Sequence, residues 1–117
     1  MLGEALIIVP KKNNSGASIR KVRDTAIEAI IAAFGGCTVT EGRGYWKDDT
    51  GKLYAEPVWK LTTACEPGNE NHEDAIQLVG YSVLTLGDQK SVYIRQADGR
   101  VQFLSATDLT TTTSLEG

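Results

Sequence analysis

Hydrophobic and polar positions along the chain predict two helices and five strands. The apolar run at residues 5–9, closed by Pro10, predicts a buried central strand over residues 4–10. Apolar residues at helical spacing predict a helix over residues 19–34, with Ser18 as its N-cap and Gly35-Gly36 after its end. The same periodicity predicts a second helix that begins at Asn71 and ends at Gly87.

A long hairpin is predicted over residues 37–65, with its turn at residues 48–51. Gly42 and Gly44 in its first strand indicate either a bulge or a close backbone approach. Pro57 cannot donate to a ladder, so we expect it at a bulge or where the hairpin projects beyond its neighbours.

A second hairpin follows, with Asp98-Gly99 as a two-residue type I′ turn. Counting outward from that turn pairs Ile94 with Phe103 and Tyr93 with Leu104. Tyr93 and Leu104 would then lie together on the face of the sheet that faces away from the helices.

The order of elements is strand, helix, strand, strand, helix, strand, with one added C-terminal strand. This order predicts an α+β, ferredoxin-like sandwich (βαββαβ plus a C-terminal edge strand): an antiparallel sheet of order 5-4-1-3-2 with two helices on one face. Residues 1–107 would form a single domain, followed by a polar tail at residues 108–117. Apolar residues on the uncovered face predict a homodimer or a larger assembly.

Composition and charge narrow the class of protein. The 117 residues are 41% hydrophobic, which is typical of a compact globular domain. The net charge of −3 gives no overall attraction to a phosphate backbone, so nucleic-acid binding is unlikely. No apolar run has the roughly 18–20 residues of a membrane span, and no export signal is visible, so we expect no membrane partner and a cytoplasmic protein.

Cys37, Cys65 and His72 are the chain's only cysteines and histidine. They are too few for a four-ligand zinc site, so no metal or cofactor is predicted. We expect free, buried thiols, although the strand ends could bring the two cysteines together. Catalysis by Cys65 with His72 would need contact across the loop between them, which the sequence does not predict.

A small-anion site is predicted where the first strand leads into the first helix. Lysines and amides precede a helix N-terminus, whose free N–H groups favour negative charge, although a merely solvated, capped loop is the alternative. The proposed ligand-binding residues are Lys11, Lys12, Asn13, Asn14, Ser15 and Arg43.

Half of the eight aromatic residues lie on the long hairpin, two on each strand. Core packing accounts for at least two of them, and exposed ones are typical of a protein interface or a base-stacking platform. The predicted interface residues are Tyr45, Trp46, Tyr54, Trp59, Tyr93 and Leu104.

The run from Phe34 to Val39, the stretch from Gly42 to Trp46, and Glu56-Pro57 resemble a small family of uncharacterised bacterial and phage proteins. Its members share F-G-G-x-T, G-x-W and E-P, and the segment after Gly87 is similar to the family's G-Q-x-x-V. The resemblance covers about residues 5–104. It implies a ferredoxin-like fold and a phage or mobile-element gene, and it brings no catalytic residues.

These observations favour a non-catalytic binding protein that engages a protein partner or a small anionic, nucleotide-like ligand at a subunit junction. The alternative is a small enzyme that uses carboxylates near the aromatic hairpin, namely Glu41, Glu56 and Glu66. The Asp49-Thr50-Gly51 tripeptide is interpreted as turn chemistry, not as a protease motif.

Overall fold

The computed structural model describes residues 1–106, so the predicted tail at residues 108–117 lies outside the described residues. The elements are β1 (Gly3–Pro10), α1 (Arg20–Phe34), β2 (Thr38–Lys47), β3 (Leu53–Cys65), α2 (Glu70–Leu86), β4 (Ser91–Arg95) and β5 (Val101–Ser105). All seven predicted elements are therefore present, in the predicted order.

The strands form one antiparallel sheet of order β2-β3-β1-β4-β5. This is the predicted order, and the α+β, ferredoxin-like prediction is confirmed. β1 lies in the centre, paired with β3 and β4. A central strand has no edge exposed to water, which suits its continuous apolar run.

The core lies between the helices and one face of the sheet, which we call the helix face. Alternate residues of β1, namely Ala5, Ile7 and Val9, point into it and are each at most 1% exposed. The other large buried side chains are Ile30, Leu61, Ile76, Val83, Val92 and Ile94. The opposite surface, which we call the open face, carries no helix within residues 1–106.

Both helices begin one or two residues away from the predicted caps. α1 begins at Arg20 after Ile19, and no side chain caps it, so Ser18 is not its N-cap. α2 begins at Glu70, with Asn69 and not Asn71 as the cap, because the Asn69 side chain accepts a hydrogen bond from the His72 N–H. Neither helix has the length and apolarity that crossing a bilayer demands.

The predicted register of the last hairpin is wrong by one residue. Gln96 pairs with Arg100 around a three-residue loop in which Gly99 has φ +94°, the geometry of a turn followed by a bulge. Tyr93 therefore faces Phe103, and Val92 faces Leu104. Since a slip of one residue moves every side chain to the other face, Leu104 enters the core and Phe103 lies on the open face, 66% exposed.

Candidate functional site

The long hairpin projects beyond the rest of the sheet. β3 pairs with β1 only from Val58 onward, whereas its pairing with β2 continues to Lys47 and Leu53. Residues 43–57, which we call the arm, therefore form a two-stranded ribbon. Pro57 lies where β1 ends, and its carbonyl accepts a hydrogen bond from the Lys11 N–H. This confirms the projecting position predicted for Pro57, and the constant register excludes a bulge at Gly42 and Gly44.

Asp48 organises the turn at the tip of the arm. Its Oδ1 accepts hydrogen bonds from the Thr50 N–H (2.9 Å), the Thr50 hydroxyl (2.6 Å) and the Lys52 N–H (3.0 Å). Its Oδ2 accepts a fourth from the Tyr54 hydroxyl at 3.1 Å. The hydrogen bond from the Thr50 hydroxyl is the largest cause that lowers the pKa of Asp48; burial opposes it, and the bonds from Lys52, Tyr54 and the Thr50 N–H lower the pKa further. The carboxylate thus stays charged and holds Tyr54.

An aromatic stack lies on the open face of the arm. The Trp46 and Tyr54 rings are directly cross-strand and stack with centroids 4.1 Å apart and planes 10° from parallel. The Lys52 Nζ lies 5.0 Å from the Tyr54 ring centroid. Trp46 is 48% exposed, so much of the stack remains available to a ligand.

Glu56 lies next to this stack on the same face, opposite Gly44. Its side chain is half-buried, and within residues 1–106 it makes no hydrogen bond or ion pair. A Cβ added at Gly44 would lie 4.0 Å from the Glu56 Cγ and 3.8 Å from a Val58 methyl. The missing side chain at Gly44 therefore leaves a gap next to Glu56 and Val58, which we call the recess, on the same face as the stacked aromatic pair.

Basic residues lie at the base of the arm, on the helix face. Lys11 forms an ion pair with Glu41 at 2.7 Å, and this hydrogen bond and the charge of Lys11 lower the pKa of Glu41. The Arg23 guanidinium and the Lys11 ammonium lie 4.6 Å and 5.4 Å from the Trp59 ring centroid. Arg43, paired with Pro57, is exposed on the same side.

The predicted anion loop uses its own polar groups internally. The Asn13 side chain accepts hydrogen bonds from the Ser15 and Ala17 N–H groups, and the Lys12 carbonyl accepts one from Gln89. Lys12, Asn14 and Ser15 are exposed. Of the six predicted ligand residues, the structure thus brings Lys11 and Arg43 to the base of the arm, and the loop N–H groups assigned to an anion are partly satisfied.

The predicted interface residues divide into surface and core. Tyr45 and Trp46 are exposed on opposite faces of the arm, and Tyr93 packs edge-on against Phe103 on the open face. Trp59 and Leu104 are 5% and 3% exposed and belong to the core, so their prediction as surface contacts is wrong. Trp59 lies two residues before Leu61 on β3, so both side chains point to the helix face, where Trp59 lies under α1.

Within residues 1–106, the two cysteines and the histidine form no catalytic arrangement. Burial raises the pKa of both the Cys37 and the Cys65 thiols, which disfavours the nucleophilic thiolate. His72 Nδ1 accepts the Glu66 N–H at 3.0 Å, and Glu66 itself binds the Asn69 side chain. Glu41 is occupied by Lys11, so Glu56 is the predicted carboxylate with no side-chain partner in the described chain.

In sequence, the chain matches no protein-family model and no curated protein. In structure, it matches a phage SAM lyase in complex with S-methyl-5′-thioadenosine, with a TM-score of 0.71, 19% identity and coverage of 90% of each chain. The chain shares its fold with a phage SAM lyase. The apo state of a phage SAM lyase also matches, with a TM-score of 0.68, 18% identity and coverage of 88% of each chain.

This likeness contradicts the expectation of a non-catalytic binding protein, because the fold that spans nine tenths of the chain is that of an enzyme. It agrees with the coarser expectation of a phage-related α+β protein. Sequence reasoning favoured binding because the chain has no nucleophile motif and only one histidine. The sequence feature that the binding interpretation left unused is the pair Glu56 and Tyr54, which share one face of β3 opposite Gly44 and Trp46.

Proposed function

We propose that this protein is an enzyme that cleaves S-adenosylmethionine at the open face of the arm and releases S-methyl-5′-thioadenosine. The observation that carries the proposal is the half-buried, unpartnered Glu56 beside the Trp46–Tyr54 stack. The phage SAM lyase of the same fold, which binds S-methyl-5′-thioadenosine, supports the choice of substrate class.

The recess suits the chemistry of a sulfonium nucleoside. The exposed part of the Trp46 ring offers a surface on which an adenine can stack, and aromatic faces also attract an alkylated cation. The Glu56 carboxylate complements the positive sulfur. In a lyase reaction the C–S bond breaks with its electron pair moving onto sulfur, while an oxygen of the substrate's own carboxylate forms a bond to the carbon that sulfur leaves. The four-carbon fragment is released as a closed ring, and no water is taken up. The sulfur loses its charge, so the attraction of Glu56 is stronger for substrate than for product.

The direct test is incubation of the purified protein with S-adenosylmethionine, followed by chromatographic detection of S-methyl-5′-thioadenosine. We expect both nucleoside and four-carbon product, with no isotope from ¹⁸O-labelled water retained when the four-carbon product is first isolated. Absence of turnover in a folded protein would refute the proposal.

Glu56→Gln separates the role of charge from that of shape. We expect the affinity for S-adenosylmethionine to fall by about tenfold, whereas the affinity for the neutral S-methyl-5′-thioadenosine stays the same. Glu28→Gln, an exposed carboxylate on α1, is the matched control. Equal losses of affinity for both ligands in Glu56→Gln would show that Glu56 does not interact with the sulfonium charge.

We further propose that two copies of the chain form the substrate site together. Lys11 and Arg43 lie on the helix face, whereas Glu56 lies on the open face, so one substrate cannot easily touch all three in a single chain. We propose a homodimer or larger assembly in which Lys11, Lys12, Asn13, Asn14, Ser15 and Arg43 of one copy form the site for the substrate's carboxylate at the arm of another. Tyr93 and Phe103 offer the open face as the contact between copies.

S-adenosylmethionine is a metabolite of the cytoplasm. We therefore propose that compartment as the place of action.

A further inference from the structure

The arm has little to hold its shape except its own turn and side chains. It is a two-stranded ribbon beyond the end of β1, and isolated two-stranded hairpins are at best marginally stable in water. A ligand surface on such a ribbon needs a device that sets the orientation of its rings. Asp48 is placed to supply one.

Asp48 uses its two carboxylate oxygens for different purposes. Oδ1 accepts three hydrogen bonds within the turn, from Thr50 and Lys52, and these add to the backbone hydrogen bonds of Asp48 with Gly51 and Lys52. Oδ2 is not needed for the turn and accepts the hydroxyl of Tyr54, six residues away. The neighbouring Asp49 makes no side-chain hydrogen bond within residues 1–106, so the turn itself does not require two acids.

We infer that Asp48 is a positioning residue: through the Tyr54 hydroxyl it fixes the Trp46–Tyr54 stack in the orientation that binds the adenosyl group. This inference rests on the proposed function for its ligand, but the geometry of the stack stands without it. With the Tyr54 ring held at its hydroxyl by Asp48 and flanked by the Lys52 ammonium, the Trp46 ring has a fixed surface to pack on. The exposed side of Trp46 is then presented to the ligand in one orientation, which reduces the entropy lost on binding.

The test uses Tyr54→Phe, which keeps the ring and removes the donor, and Asp48→Asn, which keeps an oxygen for the turn and removes the charge. Asp49→Asn is the matched control in the same turn. For each of the two test variants we expect KM for S-adenosylmethionine to rise by about threefold to tenfold, with kcat within about twofold of wild type. Because both act through one hydrogen bond, the double variant should lose no more than the larger single loss.

Near-UV circular dichroism supplies a readout that does not depend on turnover. The tryptophan bands, which lie at longer wavelength than those of tyrosine and phenylalanine, should weaken in Tyr54→Phe and Asp48→Asn and persist in Asp49→Asn, with the Trp59 contribution common to all. If wild type does not cleave S-adenosylmethionine, the proposed function fails, and the dichroism still decides whether Asp48 orients the stack.

Two results would overturn the inference: an unchanged dichroism and KM in Tyr54→Phe, or additive losses in the double variant. If thermal melting shows that Asp48→Asn is not folded, Tyr54→Phe decides alone, because that variant keeps the turn hydrogen bonds to the Asp48 Oδ1.

Discussion

Asp48, Asp98 and Glu41 accept hydrogen bonds as charged carboxylates, and those bonds lower the pKa of each. Asp98 binds the Arg100 N–H at 3.0 Å and the Arg100 Nε at 2.7 Å, and the backbone bond is the largest cause of its shift. Glu56 differs because no donor in the described chain faces it. At the scale of single residues, hydrogen-bond partners therefore distinguish these three carboxylates, which have structural roles, from Glu56, which we propose binds a ligand.

The lowered pKa of Asp98 makes the stability of the fold depend on pH in the acid range. A carboxyl whose folded pKa is below its unfolded value of 3.8 stabilises the fold above that value, and the contribution is lost as pH falls through the folded pKa. We expect Asp98→Asn to flatten the decline of the thermal midpoint below about pH 4. Melting curves from pH 2 to 7 measure this, with Asp49→Asn as the control. An unchanged slope would show that Asp98 does not contribute.

The two tryptophans should respond oppositely to truncation. Trp59→Ala empties a packed site on the helix face and should cost about 3–5 kcal/mol in the free energy of unfolding. Trp46→Ala removes an exposed ring, so we expect a smaller loss of stability together with a loss of affinity for S-methyl-5′-thioadenosine. Denaturant melts and ligand titration separate the two effects. A Trp46→Ala variant with wild-type affinity would place the ligand elsewhere.

At the scale of elements, the arm combines a tip closed by the hydrogen bonds of Asp48 with a recess made by a missing side chain. Gly44 has ordinary strand geometry, so its value lies in the space beside Glu56 and not in backbone freedom. The long ladder of β2 on β3 carries this recess out beyond the core.

Filling the recess should stop binding without harming the fold. Gly44→Val adds a β-branched residue that favours a strand, and its methyl groups occupy the space next to Glu56 and Val58. We expect an unchanged or higher melting temperature and a loss of S-adenosylmethionine cleavage. Thr40→Val, on the same strand and face but farther from Glu56, is the control and should keep activity. Full activity in Gly44→Val would contradict the proposed site.

At the scale of the whole molecule, the open face and the arm carry the proposed contact with a second copy. Phe103 and Val101 are 66% and 46% exposed on β5, next to Tyr93 on β4. Apolar side chains clustered on an uncovered sheet are typical of an interface. The basic residues at the base of the arm and Glu56 lie on opposite faces, and the proposed assembly would bring them together from two chains.

Subunit complementation tests the shared site. Glu56→Gln and Arg43→Ala should each be impaired alone, and mixed subunits should recover activity in about one quarter of the sites of a dimer. Mixing two preparations of Glu56→Gln is the control. Light scattering should return at least twice the chain mass of 12.6 kDa at micromolar concentration. A monomer, or no recovery from associated and folded subunits, would place the whole site within one chain.

Local patterns in the sequence determined the elements, the order of the sheet and the projecting hairpin. The periodicity of α1, the apolar run of β1 and the position of Pro57 are properties of neighbouring residues, and short-range sterics and burial act on them directly. The candidate carboxylates and the aromatic hairpin could also be named from sequence, although the choice among Glu41, Glu56 and Glu66 could not.

Only the tertiary structure decided which face each side chain occupies and which groups remain unpartnered. Asp98-Gly99 suits both a two-residue and a three-residue loop. The packing of Leu104 and Ile94 against Gly80 on α2 selects the three-residue loop and turns Phe103 outward. Trp59 and Trp46 have similar local surroundings, but α1 covers only the first. Lys11 reaches Glu41 across 30 positions of chain and leaves Glu56 alone, and such long-range pairing is absent from any local pattern.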